Sequence, residues 1–121
     1  MDKRHSLGQW GESKAEKYLE AQGLRIVDRR FWTPYGEIDL IASDRDAWVF
    51  IEVRTRAIRS DVPAIETLTP AKQRRLVRAA WIYVVRYGLL GQPLRFDFVT
   101  IEKGKIDWIP NAFSVGPGVM F

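Results

Sequence analysis

Two neighbouring apolar segments of the chain carry charged residues where a buried strand normally has none. Residues 36–42 contain Asp39, and residues 49–54 contain Glu52 and Arg54. Because side chains alternate along a strand, Glu52 and Arg54 share one face, and the apolar residues beside them point the other way. Charges in such segments are normally paired or bound to a ligand. The two segments therefore predict adjacent strands that hold two acids and a base together.

Carboxylates from two adjacent strands, with a cation beside them, suit the binding of Mg²⁺ and a phosphodiester. We favour a metal site for Asp39 and Glu52 because two acids and a base converge there. The alternative is that Asp39 forms a structural ion pair with Arg54 or Arg95. Asp97 shares a strand face with Arg95, and we interpret it as a structural partner of that arginine.

Composition narrows the chemistry and the class of protein. The chain has no cysteine and one histidine, near its N-terminus, which excludes Cys-ligated zinc and disfavours Ser-His-Asp hydrolases and His-metal nucleases. Its 121 residues, 46% of them hydrophobic, suit a single domain spanning residues 1–121. No apolar stretch approaches the roughly 20 residues of a membrane span, and no signal-peptide core is visible. We expect a cytoplasmic protein that does not engage membranes.

Positive charge is concentrated between residues 53 and 86, which contain eight basic and two acidic residues in a chain of net charge +4. Arginine outnumbers lysine by thirteen to six, which suits bidentate phosphate contacts. The candidate nucleic-acid contacts are Arg56, Lys72, Arg74, Arg75 and Arg78. The alternative is an ordinary solvated helix face. Trp32 is the best stacking candidate among the tryptophans, although packing is the commoner role for such residues.

Hydrophobic periodicity and turn residues predict seven elements in the order α-β-β-β-α-β-β. One helix covers residues 7–22, with Ser6 as N-cap and Gly23 as stop, and the other begins at Thr69-Pro70 and ends at Gly88. The strands cover residues 24–31, 36–42, 47–56, 94–101 and 106–109, with turns at 43–46 and 103–105, a loop at 59–68 and a break at 116–118. This order predicts an α/β fold, a mixed β-sheet flanked by helices.

The motifs together resemble the YraN-type family of small bacterial predicted endonucleases, which is related to Holliday-junction resolvases and to PD-(D/E)xK nucleases. The matching segments span nearly the whole chain: GQWGESKA at 8–15, GEIDLIA at 36–42, FIEVRTR at 50–56, KQRRL at 72–76, RFD at 95–97 and NAF at 111–113. The resemblance implies a restriction-endonuclease-like core in which Asp39 and Glu52 bind Mg²⁺ or Mn²⁺. It also implies that Glu12, on the first helix, adds a further acid near the metal.

The family pattern has a lysine where this chain has Arg54. A lysine can lose a proton and help to activate water, whereas arginine stays protonated and can only stabilise charge on the phosphate. Lys72 is a candidate for the missing amine, against the alternative that its stem packs on the sheet. The resemblance thus implies Glu12, Asp39, Glu52 and Arg54 as catalytic residues and leaves open whether the protein is an enzyme.

The sequence leads to the expectation of a nucleic-acid-binding protein and Mg²⁺-dependent endonuclease acting on structured or branched DNA. DNA is favoured over RNA, and analogy with resolvases suggests a homodimer. One alternative is a non-catalytic nucleic-acid-binding module on a nuclease fold. A second is an interaction protein whose basic helix keeps it soluble.

Overall fold

A mixed sheet of five strands lies between two helices in the computed structural model, which describes residues 3–45, 47–57 and 61–115, with backbone alone for residues 3–6. The elements are α1 (Lys3–Ala21), β1 (Arg25–Thr33), β2 (Gly36–Asp44), β3 (Ala47–Arg56), α2 (Pro70–Arg86), β4 (Leu94–Glu102) and β5 (Lys105–Phe113). A short 3₁₀-helix, Ala64–Thr67, precedes α2. The predicted α/β fold and element order are confirmed. Within the described ranges, no helix combines the length and apolar character needed to cross a membrane.

Several elements extend beyond one of their predicted ends, whereas the bounds of β3 match the prediction. Helix α1 begins at Lys3, so Ser6 lies inside the helix and is not its N-cap. The hairpin ladders continue into polar residues next to the turns, as far as the Thr33–Gly36 pair between β1 and β2. The start of α2 is confirmed, because the Thr69 hydroxyl accepts the Lys72 N–H at 3.3 Å and Pro70 follows it. The predictions for Asp46, for residues 59 and 60, and for the break at 116–118 lie outside the described residues.

The sheet has the order β1-β2-β3-β4-β5, in which β3 and β4 are parallel and the other neighbours are antiparallel. Apolar residues of α2 cover one face, where Phe50 and Tyr83 lie in the core. Residues of α1 cover the other face, where Leu19 and Ile51 are fully buried. The two helices therefore pack against opposite faces of the sheet.

Strand β2 changes its alternation at Asp39. Ile38 packs in the core below α2 and Leu40 in the core below α1, although residues two apart on a strand normally share a face. Between the Arg29–Leu40 and Phe31–Ile38 pairs lies Arg30, which has a φ of 51°. The ladder between β2 and β3 ends at this level, with Leu40 opposite Ile51 as its last pair. The two strands therefore part at Asp39.

Helix α1 lies tightly against β3 at Gly11. A Cβ atom at this position would lie 1.9 Å from Oγ1 of Thr55, so a larger side chain does not fit without a shift of the helix or the strand. Gly8, one turn earlier, has no atom within 4 Å of the corresponding position. The close approach at Gly11 sets the distance from the sheet of the next residue, Glu12.

We expect Gly11→Ala to destabilise the fold by about 1–3 kcal/mol, the usual cost of overpacking, as measured by urea unfolding. Gly8→Ala is the matched control, and it should be neutral or stabilise by about 0.5–1 kcal/mol because alanine favours a helix. Adding Thr55→Ala to Gly11→Ala removes the hydroxyl and should recover part of the loss. Equal stabilities for the Gly11→Ala and Gly8→Ala variants would contradict the close approach.

Candidate metal centre and arginine groove

Asp39 fills the gap that opens where β2 and β3 part. Its Oδ2 atom accepts the backbone N–H of Val53 at 2.8 Å, so a side-chain oxygen takes the place of the carbonyl that an unbroken ladder would supply. This hydrogen bond fixes one carboxylate oxygen in position. The change of alternation at Asp39 allows the contact, because it turns the side chain from the face of the sheet towards β3.

Three carboxylates meet at this gap: those of Glu12, Glu37 and Asp39. Each offers one oxygen, and the three oxygens lie within 4.8 Å of one another on half-buried side chains. Glu12 reaches the cluster from α1, and its Oε2 accepts a hydrogen bond from Nε of Arg30 at 2.9 Å. We call these three residues the acid cluster. Its spacing is one that could hold a metal ion, since hard divalent cations take several carboxylate oxygens.

The left-handed residue Arg30 helps to place Glu12. Consecutive strand residues normally point to opposite faces, yet Arg29 and Arg30 both reach α1. Nη2 of Arg29 donates to Oε2 of Glu16 at 2.7 Å, and Arg30 donates to Glu12 one helical turn earlier. The positive φ of Arg30 permits this double contact. Two ion pairs thus hold the edge strand against the helix that carries Glu12.

Glu52 lies directly beside the acid cluster and shares a hydrogen bond with Asp39. Burial, followed by the charge of Glu52, raises the pKa of Asp39 well above its usual range, although the Val53 N–H opposes the shift. Burial also raises the pKa of Glu52, while the hydrogen bond with Asp39 and the charges of Lys72 and Arg54 offset part of the rise. The Glu12 carboxylate raises both. This environment disfavours full ionisation of the group and favours a cation that would neutralise it.

Lys72 lies beside Glu52, as its candidacy for the missing amine requires. It lines a cavity of about 150 Å³ together with Glu37, Glu52 and Arg75, which we call the acidic cavity. The charge of Lys72 lowers the pKa of Glu52 more than the charge of Arg54 does. The Arg54 side chain is exposed and does not line the cavity. Asp39, Glu52 and Glu12 are thus brought together, and Lys72, rather than Arg54, lines the cavity beside Glu52.

A larger groove adjoins the acidic cavity on the side of α2. It has a volume of about 580 Å³, and its side chains are those of Trp32, Tyr35, Arg74, Arg75 and Arg78, beside Thr33, Pro34 and Ala71. We call it the arginine groove. It shares Tyr35, Gly36 and Arg75 with the acidic cavity, so the two are continuous. Three of the predicted nucleic-acid contacts therefore lie next to the candidate metal centre.

Arg56 lies elsewhere and has partners within the protein. Its Nη1 atom donates to the carbonyl of Val62 at 2.9 Å, and its Nη2 atom donates to Glu102. Its Nε atom is buried without a partner among the described residues. These contacts tie the loop after β3 to β4, so we leave Arg56 out of the interface proposed below.

Arg95 and Asp97 form a structural network, as the sequence indicated. Asp97 is buried and accepts hydrogen bonds from Nε and Nη2 of Arg95, from Nε1 of Trp108 and from the N–H of Asn111, at 2.9–3.1 Å. Arg95 also donates to Asp44 at 2.7 Å. The guanidinium of Arg95 is thus hydrogen-bonded to Asp44 and Asp97. The alternative of an Asp39–Arg95 ion pair is therefore wrong.

Glu37 is the site residue that sequence reasoning missed. It was not among the predicted site residues, whereas its carboxylate belongs to the acid cluster. The signal was present, because Glu37 precedes Asp39 by two residues on a strand and the two therefore tend to share a face. Glu52 was predicted as a metal ligand, but it lies outside the acid cluster and contacts it through Asp39.

We expect Asp39→Asn to stabilise the metal-free protein at neutral pH by about 3–5 °C, the shift that about 1 kcal/mol produces in a chain of this size. The folded-state pKa of Asp39 is raised, so its contribution to stability falls as pH rises through that pKa. Asparagine removes this cost and keeps an oxygen for the Val53 N–H. Thermal unfolding measures this gain in melting temperature, which should shrink as pH is lowered below the folded-state pKa of Asp39.

The exposed Asp107 provides the matched control for this experiment, since Asp107→Asn removes a carboxylate outside the cluster and should give no gain. A less stable Asp39→Asn protein at neutral pH would show that ionised Asp39 is well accommodated without a cation.

Comparison with known proteins places the chain in a family. The model of the family described as "Uncharacterised protein family UPF0102" matches residues 11–101. The UPF0102 protein of Nitrosococcus oceani is 47% identical over 113 residues, covering 89% of this chain and 91% of the relative. That of Herminiimonas arsenicoxydans is 42% identical over 111 residues, covering 92% and 89%. That of Myxococcus xanthus is 38% identical over 117 residues, covering 93% of each. The chain therefore belongs to the UPF0102 family.

Proposed function

We propose that this protein is a Mg²⁺- or Mn²⁺-dependent endonuclease that acts on structured or branched DNA. The observation that carries the proposal is the meeting of the acid cluster and Glu52 in the gap between β2 and β3, next to the arginine groove. Carboxylates whose ionisation is opposed by burial and by one another, beside a row of exposed arginines, suit a metal ion and a polyanion together. If the arginines were only an ordinary solvated helix face, the half-buried carboxylates beside them would have no explanation.

The donor set fits a hard divalent cation. Asp39, Glu37 and Glu12 offer oxygens within 4.8 Å of one another, and Glu52 lies beside them. A cation would relieve the repulsion and desolvation that raise the pKa of Asp39. When bound, it would supply a water of lowered pKa and stabilise charge on the scissile phosphate.

The remaining roles fall to basic residues. Lys72 is positioned to place a phosphate or water against Glu52, since both line the acidic cavity. Arg54 is exposed and lies outside the acidic cavity, and its positive charge acts on Glu52. Arg74, Arg75 and Arg78 are exposed along α2, where they can contact successive phosphates without reading bases.

A non-catalytic nucleic-acid-binding module is the second candidate. The observation that favours it is Arg54, which occupies the motif position of the lysine and is directed to solvent. In that case the acid cluster would bind a metal that bridges to phosphate without hydrolysis. The two candidates share a fold and a surface and differ only in whether DNA is cut.

We expect the protein to bind Mn²⁺ by calorimetry and to cleave DNA with Mg²⁺ or Mn²⁺, tested on duplex, single-stranded and four-way-junction substrates. Asp39→Asn should weaken Mn²⁺ binding by at least about 100-fold, because it removes a charged oxygen ligand, and abolish cleavage. Asp107→Asn is the matched control and should change neither. DNA binding without cleavage would select the non-catalytic module, and the absence of both metal and DNA binding would rule out both candidates.

We expect Lys72→Met to lower cleavage by about 10²–10⁴-fold, the usual contribution of a positioned proton-transfer group, while Mn²⁺ affinity stays the same because lysine is not a ligand. Lys17→Met, at an exposed lysine of α1, is the control and should be fully active. If Lys72→Met cleaves at the wild-type rate and Arg54→Met does not, Arg54 is the working cation and this assignment is wrong.

A further inference from the structure

We propose that Trp32 forms a stacking subsite for one unpaired base of the DNA, so that the preferred substrate has a single-stranded segment beside the candidate metal centre. This inference rests on the proposed function and names the substrate class within it. It starts from the exposure of the side chain. Trp32 is 74% exposed, the largest value among the large apolar side chains of the described residues.

The position of Trp32 is fixed although its ring is in solvent. The next residue, Thr33, is buried, and its hydroxyl donates to the Gly36 carbonyl at 2.8 Å and accepts the Tyr35 N–H at 3.1 Å. Thr33 also pairs with Gly36 in the β1–β2 ladder. Both contacts hold the tight turn after Trp32. A large aromatic ring on a rigid base offers contact area at little ordering cost.

Trp32 lies next to the acid cluster across the ladder. Its partner on β2 is Glu37, and paired residues of an antiparallel ladder present their side chains on one face, roughly 4.5–5.5 Å apart at Cβ. The Glu37 carboxylate is within 4.8 Å of those of Glu12 and Asp39. A base stacked on the indole would therefore belong to a nucleotide at, or next to, a phosphate bound at the acid cluster.

The surroundings favour a nucleic acid over an apolar protein surface. Trp32 lines the arginine groove with three exposed arginines, which attract a polyanion and would repel a second copy of the same surface. The neighbouring aromatic ring, Tyr35, is covered by the guanidinium of Arg78 at 5.6 Å from the ring centroid. Stacking needs an exposed base face, which a continuous duplex does not provide and an unpaired nucleotide does.

The test measures DNA affinity by fluorescence anisotropy in EDTA, where no cleavage occurs. The probes are a blunt duplex, the same duplex with a short thymidine extension, and that extension with abasic sites in place of its bases. We expect the wild type to bind the extended duplex roughly 5- to 100-fold more tightly than the blunt one, as one stacked base would give, and to lose this preference on the abasic probe.

Trp32→Ala should lose the preference for the extension while keeping its affinity for the blunt duplex. Trp32→Phe, which restores an aromatic face, should recover part of it. Trp81→Ala removes another exposed tryptophan, on α2 and outside the arginine groove, and should keep the full preference. Circular dichroism of the three variants checks that each is folded.

An unchanged preference in Trp32→Ala, or a preference that survives on the abasic probe, would overturn the stacking subsite. So would a wild-type dimer, seen by analytical ultracentrifugation, that Trp32→Ala converts to monomer without changing DNA affinity. Since the assay contains no metal, its failure leaves metal-dependent cleavage standing. Conversely, loss of cleavage leaves the stacking result intact, and failure to bind any probe in EDTA would overturn the stacking subsite alone.

Discussion

The hydrogen bond from the Val53 N–H to the Asp39 carboxylate is the contact on which the candidate centre depends. The ladder between β2 and β3 has ended at this level, so without a side-chain acceptor the N–H would lose its partner, at a cost of about 1–3 kcal/mol if it stayed buried. Asp39 satisfies it and thereby holds a carboxylate between two strands. Helix α1 then brings Glu12, and α2 brings Lys72, to the same gap.

The cluster that results is unfavourable for the protein by itself. Burial and neighbouring carboxylates raise the pKa of Asp39 and of Glu52, which means that folding opposes their ionisation. A packing role would be served better by apolar residues of similar size. Groups kept at such a cost are typical of binding and catalytic centres, and this energetic argument joins the fold to the proposed metal dependence.

Much of the fold could be predicted from the sequence because local signals agreed with the final packing. The Thr69-Pro70 start of α2, the apolar stripe that follows it and the Arg95–Asp97 pair all follow from rules that act over a few residues. The closeness of Asp39, Glu52 and Glu12 was also predicted, through motif resemblance and strand alternation. Strand alternation predicts which side chains share a face only where the strand is regular.

The remainder depended on features that are not local. The reversal of alternation at Asp39 and the positive φ of Arg30 arise where two strands part, and no single-strand pattern indicates them. Glu37, by contrast, could have been found from its spacing of two residues from Asp39 on β2. Arg56 was predicted to contact phosphate because strand alternation places it on the same face as Glu52. The sequence does not reveal its partners in the fold, Val62 and Glu102. The closeness of Lys72 to Glu52 likewise joins elements twenty residues apart in sequence.

The central claim is that the acid cluster holds a divalent cation, and an anomalous-difference map of crystals grown near neutral pH with Mn²⁺ tests it most directly. We expect a peak within coordination distance of the Asp39 carboxylate and of at least one oxygen from Glu12, Glu37 or Glu52. Crystals of Asp39→Asn should lack that peak. A Mn²⁺ peak bound elsewhere with none at the cluster, or an identical peak in the variant, would contradict the account.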